Sequence, residues 1–328
     1  MKNKLKYLSS PLVLSIIAII LLGHLIFIYL MLPGPLEEEK VIIIEPHTRI
    51  TDIAKNLSEA GVVHNKLAFN IIAKFYSRLR SPLRSGEYEF TKHITPLQVI
   101  RILSSGKSVV HKLVIPEGTT VSEIIGKLES EHRFIGSINE NVEEGFLMPS
   151  TYFYTFRDQR SKLILHMKSL MSEALDELMP KLSKDSPLKT RLDVLTLASI
   201  VEKEAMYDDE KPRIAGVFIN RLRKKMKLQA DPTTIYAITL GKYKLDHPLT
   251  RKELLTQSPY NTYYAMGLPP TPIACPGKKA IEAVISPMQT NDLYFVVNGT
   301  GRHNFASSLE AHNINIASYK KTKSIKKD

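Results

Sequence analysis

The chain has 328 residues, 43% of them hydrophobic and 24% charged, so it can bury a sizeable core and divide into two or three modules. A single cysteine, Cys275, excludes an internal disulfide and any cysteine cluster for zinc. The formal charge of +12 suits a polyanionic neighbour such as acidic lipid or a cell-wall polymer, but Lys and Arg are scattered outside Arg221 to Lys227 and the C-terminus, which is not a nucleic-acid footprint.

Residues 12–32, LVLSIIAIILLGHLIFIYLML, carry no Asp, Glu, Lys or Arg. They suffice to cross a bilayer core of ~30 Å as a helix. A cleaved signal peptide is the competing reading, but the apolar run is too long and no small-residue cleavage site follows it. Lys2, Lys4 and Lys6 precede the span and Glu37, Glu38 and Glu39 follow it, so residues 1–11 are expected to be cytoplasmic and everything after Pro33 to lie outside. Tyr29 fits an interfacial anchor, and Pro33-Gly34-Pro35 ends the helix.

A strand from Val41 to Ile44 leads through Pro46-His47-Thr48 to a helix with Thr51 as N-cap, Asp52 in its first turn and Gly61 as its stop. The same pattern returns 71 positions later, where Ile115 to Ile125 aligns with Ile44 to Ala54 and Ser122 falls on Thr51. Between the copies the pattern predicts a helix over Lys66 to Leu79, a strand over Gly86 to Phe90 and a helix from Thr95-Pro96 to Gly106. Residues 40–107 thus form one small unit whose outline resembles a LysM-like peptidoglycan-binding module; a plain spacer fits it equally well.

From Glu144 to Tyr154 aromatics crowd around Gly145 and Pro149, a composition that suits a glycan groove or a core. A helix with Leu163, Met167, Leu170 and Met171 on one side follows. Leu195 to Ala205 is an apolar helical run ending in two carboxylates. Glu202 shares a face with Leu195, Ala198 and Ala205, and Glu204 lies beside Leu197 and Ile200. Burial raises a carboxyl pKa and suits a general acid, although capping a buried helix where it surfaces would use the same residues. The small side chains of Ala198, Ser199 and Ala205 leave room for a ring above Glu202.

A core helix then carries Ile214, Val217, Phe218, Leu222 and Met226. In Leu228 to Tyr236, Asp231 reads as an N-cap before Pro232, and Gln229 and Thr233 present hydrogen-bonding groups. A long Pro- and Gly-rich loop holds Tyr260-Asn261-Thr262-Tyr263 and Gly267 to Gly277. Asp292 to Gly301 reads as a strand and turn, His303-Asn304-Phe305 as its partner, and Ser307 to Tyr319 as a closing helix. His247, His303 and His312 lack the spacing of a helical ligand pair, so no metal and no cofactor are expected.

ASIVEKEA at 198–205, VFINRL at 217–222, LQADPT at 228–233, YNTY at 260–263, GLPPTPI at 267–273, and IPEG at 115–118 with EGFLMPSTY at 144–152 occur in order. Together they resemble the endolytic murein transglycosylases of the MltG, or YceG-like, family, with Ala205 and Ser150 departing from that pattern. The resemblance implies an α+β protein with a transmembrane helix, the LysM-like module, a catalytic domain over 108–320 and a basic tail over 321–328. It implies a lyase that cleaves the MurNAc-GlcNAc bond of nascent glycan strands, leaves 1,6-anhydroMurNAc ends and terminates strand elongation. Glu202 would be the catalytic acid, and Ser199, Gln229, Asp231, Thr233, Asn261 and Tyr263 the substrate-binding set, with Glu204 left to the helix or the groove wall. The expected partners are peptidoglycan strands, the inner membrane and peptidoglycan synthases, with the catalytic domain periplasmic and no nucleic acid involved. A non-catalytic wall-binding or division scaffold is the alternative.

Overall fold

The computed structural model describes residues 11–325; the expected cytoplasmic residues 1–10 and the last three residues of the basic tail lie outside them. Helices and three two-stranded sheets give a mixed α+β protein. Helix α1, Pro11–Met31, has 21 residues, a mean hydropathy of 2.7 over an 18-residue window and no buried side chain, and is long and apolar enough to span a bilayer.

The rest divides into two compact units, one reaching to His111 and including Phe153–Arg157, the other formed by Lys112–Tyr152 and the residues from Asp158 onward. The sequence reading drew one border at 107/108. Strands β3, Val110–Val114, and β4, Thr151–Thr155, pair with each other, and the border between the units falls within each of them.

In the first unit β1, Lys40–Ile44, pairs antiparallel with β2, Gly86–Phe90, in a register that sets Lys40 opposite Phe90 and Ile44 opposite Gly86. Helices α2, Ile50–Glu59, α3, Lys66–Leu79, and α4, Pro96–Ser105, complete it. Its core is Ile44, Leu57, Phe69, Tyr88, Phe90 and Leu103. Thr95 and Gln98 form a capping box on α4, and Gly106 closes the helix at φ 71°, a left-handed conformation that glycine adopts without steric cost.

The cap of α2 differs from expectation. Arg49 is its N-cap residue and Thr51 lies in the first turn, where Arg49 Nε donates to Asp52 Oδ2 at 2.9 Å. In the second copy Thr120, not Ser122, caps α5, Val121–Ser130, through a capping box with Glu123. Arg49 and Thr120 are themselves 71 positions apart, so the register of the repeat holds while the cap sits two residues earlier in each copy.

The second unit is built around α7, Arg191–Glu204, whose residues Val194 to Val201 are all buried. A helix apolar on every side belongs at the centre of a fold. Around it stand α6, Arg160–Leu178, α8, Lys211–Arg223, and α10, Lys278–Ile285. Helix α9, Asp231–Thr239, the antiparallel hairpin β5, Tyr294–Val297, with β6, His303–Ala306, and α11, Leu309–Ile325, complete the unit. The tail expected from 321 is therefore helical as far as Ile325. Helix α8 stops short of Met226 because Lys225 turns to φ 54°. Tyr152 is buried with its hydroxyl donating to Met148 O, and Glu144 accepts from the Val121 N–H at 2.9 Å, so this part of the aromatic stretch is spent on packing.

Candidate active site

Helix α7 starts behind a capping box of Thr190 and Asp193 and, after its buried stretch, delivers Glu202, Lys203 and Glu204 in its last turn. Ala205 is extended, so the chain turns away at once and the two glutamates meet different surroundings.

Glu202 is held by the protein itself. Lys211 Nζ lies 2.8 Å from its Oε1, and the Gly277 N–H donates to its Oε2 at 3.0 Å. The side chains of Glu202 and Lys211 are only 7% and 3% exposed. Lys211 also reaches Asp208 Oδ1 at 2.8 Å and Glu117 Oε2 at 3.4 Å. Burial alone would lower the Lys211 ammonium, but hydrogen bonds to Asp208 and Glu202 and the charge of Glu117 outweigh it and hold it above the usual lysine range. Hydrogen bonds from Lys211 and Lys279 keep the Asp208 carboxyl below its ordinary value. A Cβ at Gly277 would meet the Glu117 carboxylate, which would have to swing aside.

Glu204 instead lines a cavity of about 280 Å³ together with Arg221, Gln229, Asp231, Tyr263, His303 and His312. Burial raises its carboxyl from 4.5 to about 8, and the Asp231 charge adds to the rise while Arg221 opposes it. A carboxyl with such a value holds its proton at neutral pH. Arg221, itself buried, donates to Leu293 O at 2.6 Å and Leu228 O at 2.8 Å, so the guanidinium is fixed in the wall. Its Nη1 also donates to Gln229 Oε1 at 3.5 Å. Gln229 has φ 51°, a left-handed conformation uncommon outside glycine and frequent at ligand sites.

Asp231 is the first residue of α9 and not its cap, since Ala230 occupies that position and makes no side-chain cap bond. Its Oδ1 accepts the Tyr263 hydroxyl at 2.6 Å. Burial and that hydrogen bond push the Tyr263 phenol upward.

Of the expected substrate-binding residues, Gln229, Asp231 and Tyr263 thus meet in one cavity. Ser199, Thr233 and Asn261 do not reach it, because all three are buried with their polar atoms committed to the chain. Ser199 Oγ donates to Thr196 O at 2.7 Å and accepts the Ile273 N–H at 3.0 Å. Thr233 Oγ1 donates to Ala230 O at 2.6 Å and lies 2.8 Å from Thr262 Oγ1. Asn261 Nδ2 donates to Leu254 O and Thr256 O at 3.0 and 2.8 Å, while its Oδ1 accepts from Thr234 Oγ1 and Tyr263 N at 2.8 and 3.0 Å. These three residues hold together the loops that carry the cavity wall. Glu202, the expected acid, is not among the residues that line this cavity.

Glu204, Arg221, His303 and His312 are cavity residues that the sequence reading did not assign to the site. Arg221 stood in the VFINRL motif, but its role was invisible beside the apolar stripe. His303 and His312 lie outside the family motifs, so local pattern carries no signal for them; among the described residues no group of three His, Cys, Asp or Glu is arranged to hold a metal ion.

Comparison with known proteins matches residues 42–318 to the model of the YceG-like family. A Bacillus subtilis protein named endolytic murein transglycosylase is 32% identical over 299 residues, covering 80% of each chain. A relative of the same name from Streptococcus pneumoniae D39 is 27% identical over 322 residues, which span 84% of this chain but 57% of that longer one. A crystal structure of a yceG-like protein from Listeria monocytogenes superposes with a TM-score of 0.51 at 31% identity, covering 85% of this chain and 99% of the other. The chain belongs to the YceG-like family.

Proposed function

We propose that this protein is a membrane-anchored lytic transglycosylase of peptidoglycan and that Glu204, not Glu202, is its acid and base. The observation that carries the assignment is the position of a carboxyl raised to about 8 in the cavity that also gathers Gln229, Asp231, Tyr263 and Arg221. The names of the Bacillus and Streptococcus relatives supply the substrate class.

The chemistry follows from that position. Protonated Glu204 donates to the glycosidic oxygen as the bond between C1 of MurNAc and the leaving sugar breaks. The ring's own 6-hydroxyl attacks C1, and the Glu204 carboxylate takes up the hydroxyl proton, closing the 1,6-anhydro ring and restoring the acid. Ordinary glycosidases need a second carboxylate to activate water or to attack the anomeric carbon, a role the 6-hydroxyl makes unnecessary here. While Glu204 is ionised, Arg221 stabilises it through the same charge that opposes its raised pKa. Asp231, its oxygen engaged by Tyr263, supports positive charge developing at C1.

Helix α1 and the charge asymmetry around it support a single-pass anchor with a cytoplasmic N-terminus and a periplasmic catalytic unit. The β-α-α-β-α outline of the first unit supports a LysM-like role in holding glycan. In that setting cleavage of nascent strands terminates their elongation beside the synthases that make them. Mass spectrometry of purified glycan strands digested by the full-length protein tests the reading. Anhydro ends are expected; reducing ends would make the protein a hydrolase, and no cleavage would make it a wall-binding scaffold.

A further inference from the structure

Resting on the reading of Glu204 as the acid, we propose that His303, locked by Glu210, accepts the hydrogen bond of the attacking 6-hydroxyl and so directs the reaction to the anhydro product. Glu210 spends both carboxylate oxygens on this one residue. Its Oε1 accepts the His303 backbone N–H at 3.0 Å, and its Oε2 lies 3.1 Å from His303 Nδ1. The side chains are 5% and 10% exposed, and the imidazole stands edge-on to Phe295 with centroids 5.2 Å apart, so the ring has little freedom to turn. A carboxylate can only accept, which places a proton on Nδ1, and in the neutral imidazole Nε2 is then the lone-pair acceptor. Nε2 has no partner among the described residues, and His303 lines the cavity that holds Glu204.

A hydroxyl that is to attack through its oxygen needs an acceptor for its hydrogen, and several polar atoms of this cavity are engaged elsewhere. Asp231 Oδ1 takes the Tyr263 hydroxyl, Gln229 Oε1 faces the Arg221 guanidinium, and Glu204 enters the step carrying a proton. His303 Nε2 is the acceptor that a carboxylate holds in place; His312 Nδ1, buried without a partner in the same cavity, has no such brace. It positions the hydroxyl without keeping the proton. The C1–O bond to the leaving sugar breaks, the C1–O6 bond forms, Glu204 protonates the leaving oxygen, and the 6-hydroxyl proton passes by way of His303 Nε2 to the Glu204 carboxylate. With the 6-hydroxyl unheld, the electron-poor C1 is open to water, and the product becomes an ordinary reducing end.

Two variants of the full-length protein test this on purified glycan strands, with anhydro and reducing ends counted by mass spectrometry. His303→Ala removes the acceptor. Glu210→Gln keeps the shape of the pair, but its amide oxygen satisfies the His303 backbone N–H and its NH₂ then faces Nδ1, which moves the ring proton to Nε2 and turns the acceptor into a donor. Both should form anhydro ends about tenfold or more slowly and release a larger share of reducing ends, and Glu210→Gln should keep the wild-type melting temperature to within a few degrees. Should His303→Ala fold poorly, Glu210→Gln decides. Anhydro ends formed at the wild-type rate, or a slower rate that tracks lost stability while the product stays wholly anhydro, would overturn the proposal. Wild-type protein that makes no anhydro ends would instead defeat the transglycosylase reading itself.

Discussion

The Lys211 ammonium sits 2.8 Å from the Glu202 carboxylate, and both side chains are almost closed to solvent. That contact decides what the two glutamates of the EKE motif can do. On the proposed reading the glutamate tied to a buried lysine braces the fold, and the glutamate facing the cavity is the acid. Glu202 ties the end of α7 to the start of α8 and, through the Gly277 N–H, to the start of α10. Glu204, two residues on, is left facing the cavity.

Replacing Glu202 should therefore cost stability. Glu202→Gln leaves Lys211 with Asp208 and the more distant Glu117 as its carboxylate partners, so the loss is that of one charged hydrogen bond, about 1.5–3 kcal/mol. Thermal and urea unfolding of the variant should show a loss of that order. Stability equal to wild type would mean that the pair is not holding the helices.

The pH dependence of the rate should report Glu204. The first step uses its protonated form, so cleavage should be sustained at neutral pH and fall as pH rises through about 8. An unshifted carboxyl would put the alkaline limb several pH units lower. Initial rates of anhydro-end formation across pH 5 to 10 distinguish the two.

The same shift has a consequence for stability. The folded protein keeps on Glu204 a proton that the unfolded chain releases near 4.5, so this group's contribution falls as pH rises from about 4.5 to about 8 and is lowest above that. Glu204→Gln removes the penalty. The variant should melt higher than wild type at pH 8, and the difference should shrink toward pH 4. A variant less stable than wild type at pH 8 would show that the carboxylate is not destabilised by its surroundings.

Much of the architecture could be read from local pattern. The apolar run that forms α1, the capping box at Thr95, the 71-residue repeat and the buried helix before the EKE motif all depend on neighbouring residues alone. Residues of four of the family motifs, Glu204, Arg221, Gln229 and Tyr263, line one cavity. What the pattern could not show is which glutamate faces the cavity, because that depends on Lys211 and Gly277, which the fold brings to Glu202 from other elements. Ser199, Thr233 and Asn261 are of types that bind sugars, yet their burial comes from tertiary packing that residue type does not reveal. His303 reaches the site because β6 pairs with β5, and its brace, Glu210, belongs to a turn just after the motif.

The most direct test sets Glu204→Gln beside Glu202→Gln, counting anhydro ends formed per folded molecule from the same purified glycan strands. Glu204→Gln should be folded and inactive, while Glu202→Gln should be less stable but still cleave. A folded Glu204→Gln that cleaves at the wild-type rate, or a folded Glu202→Gln that alone is inactive, would contradict the assignment.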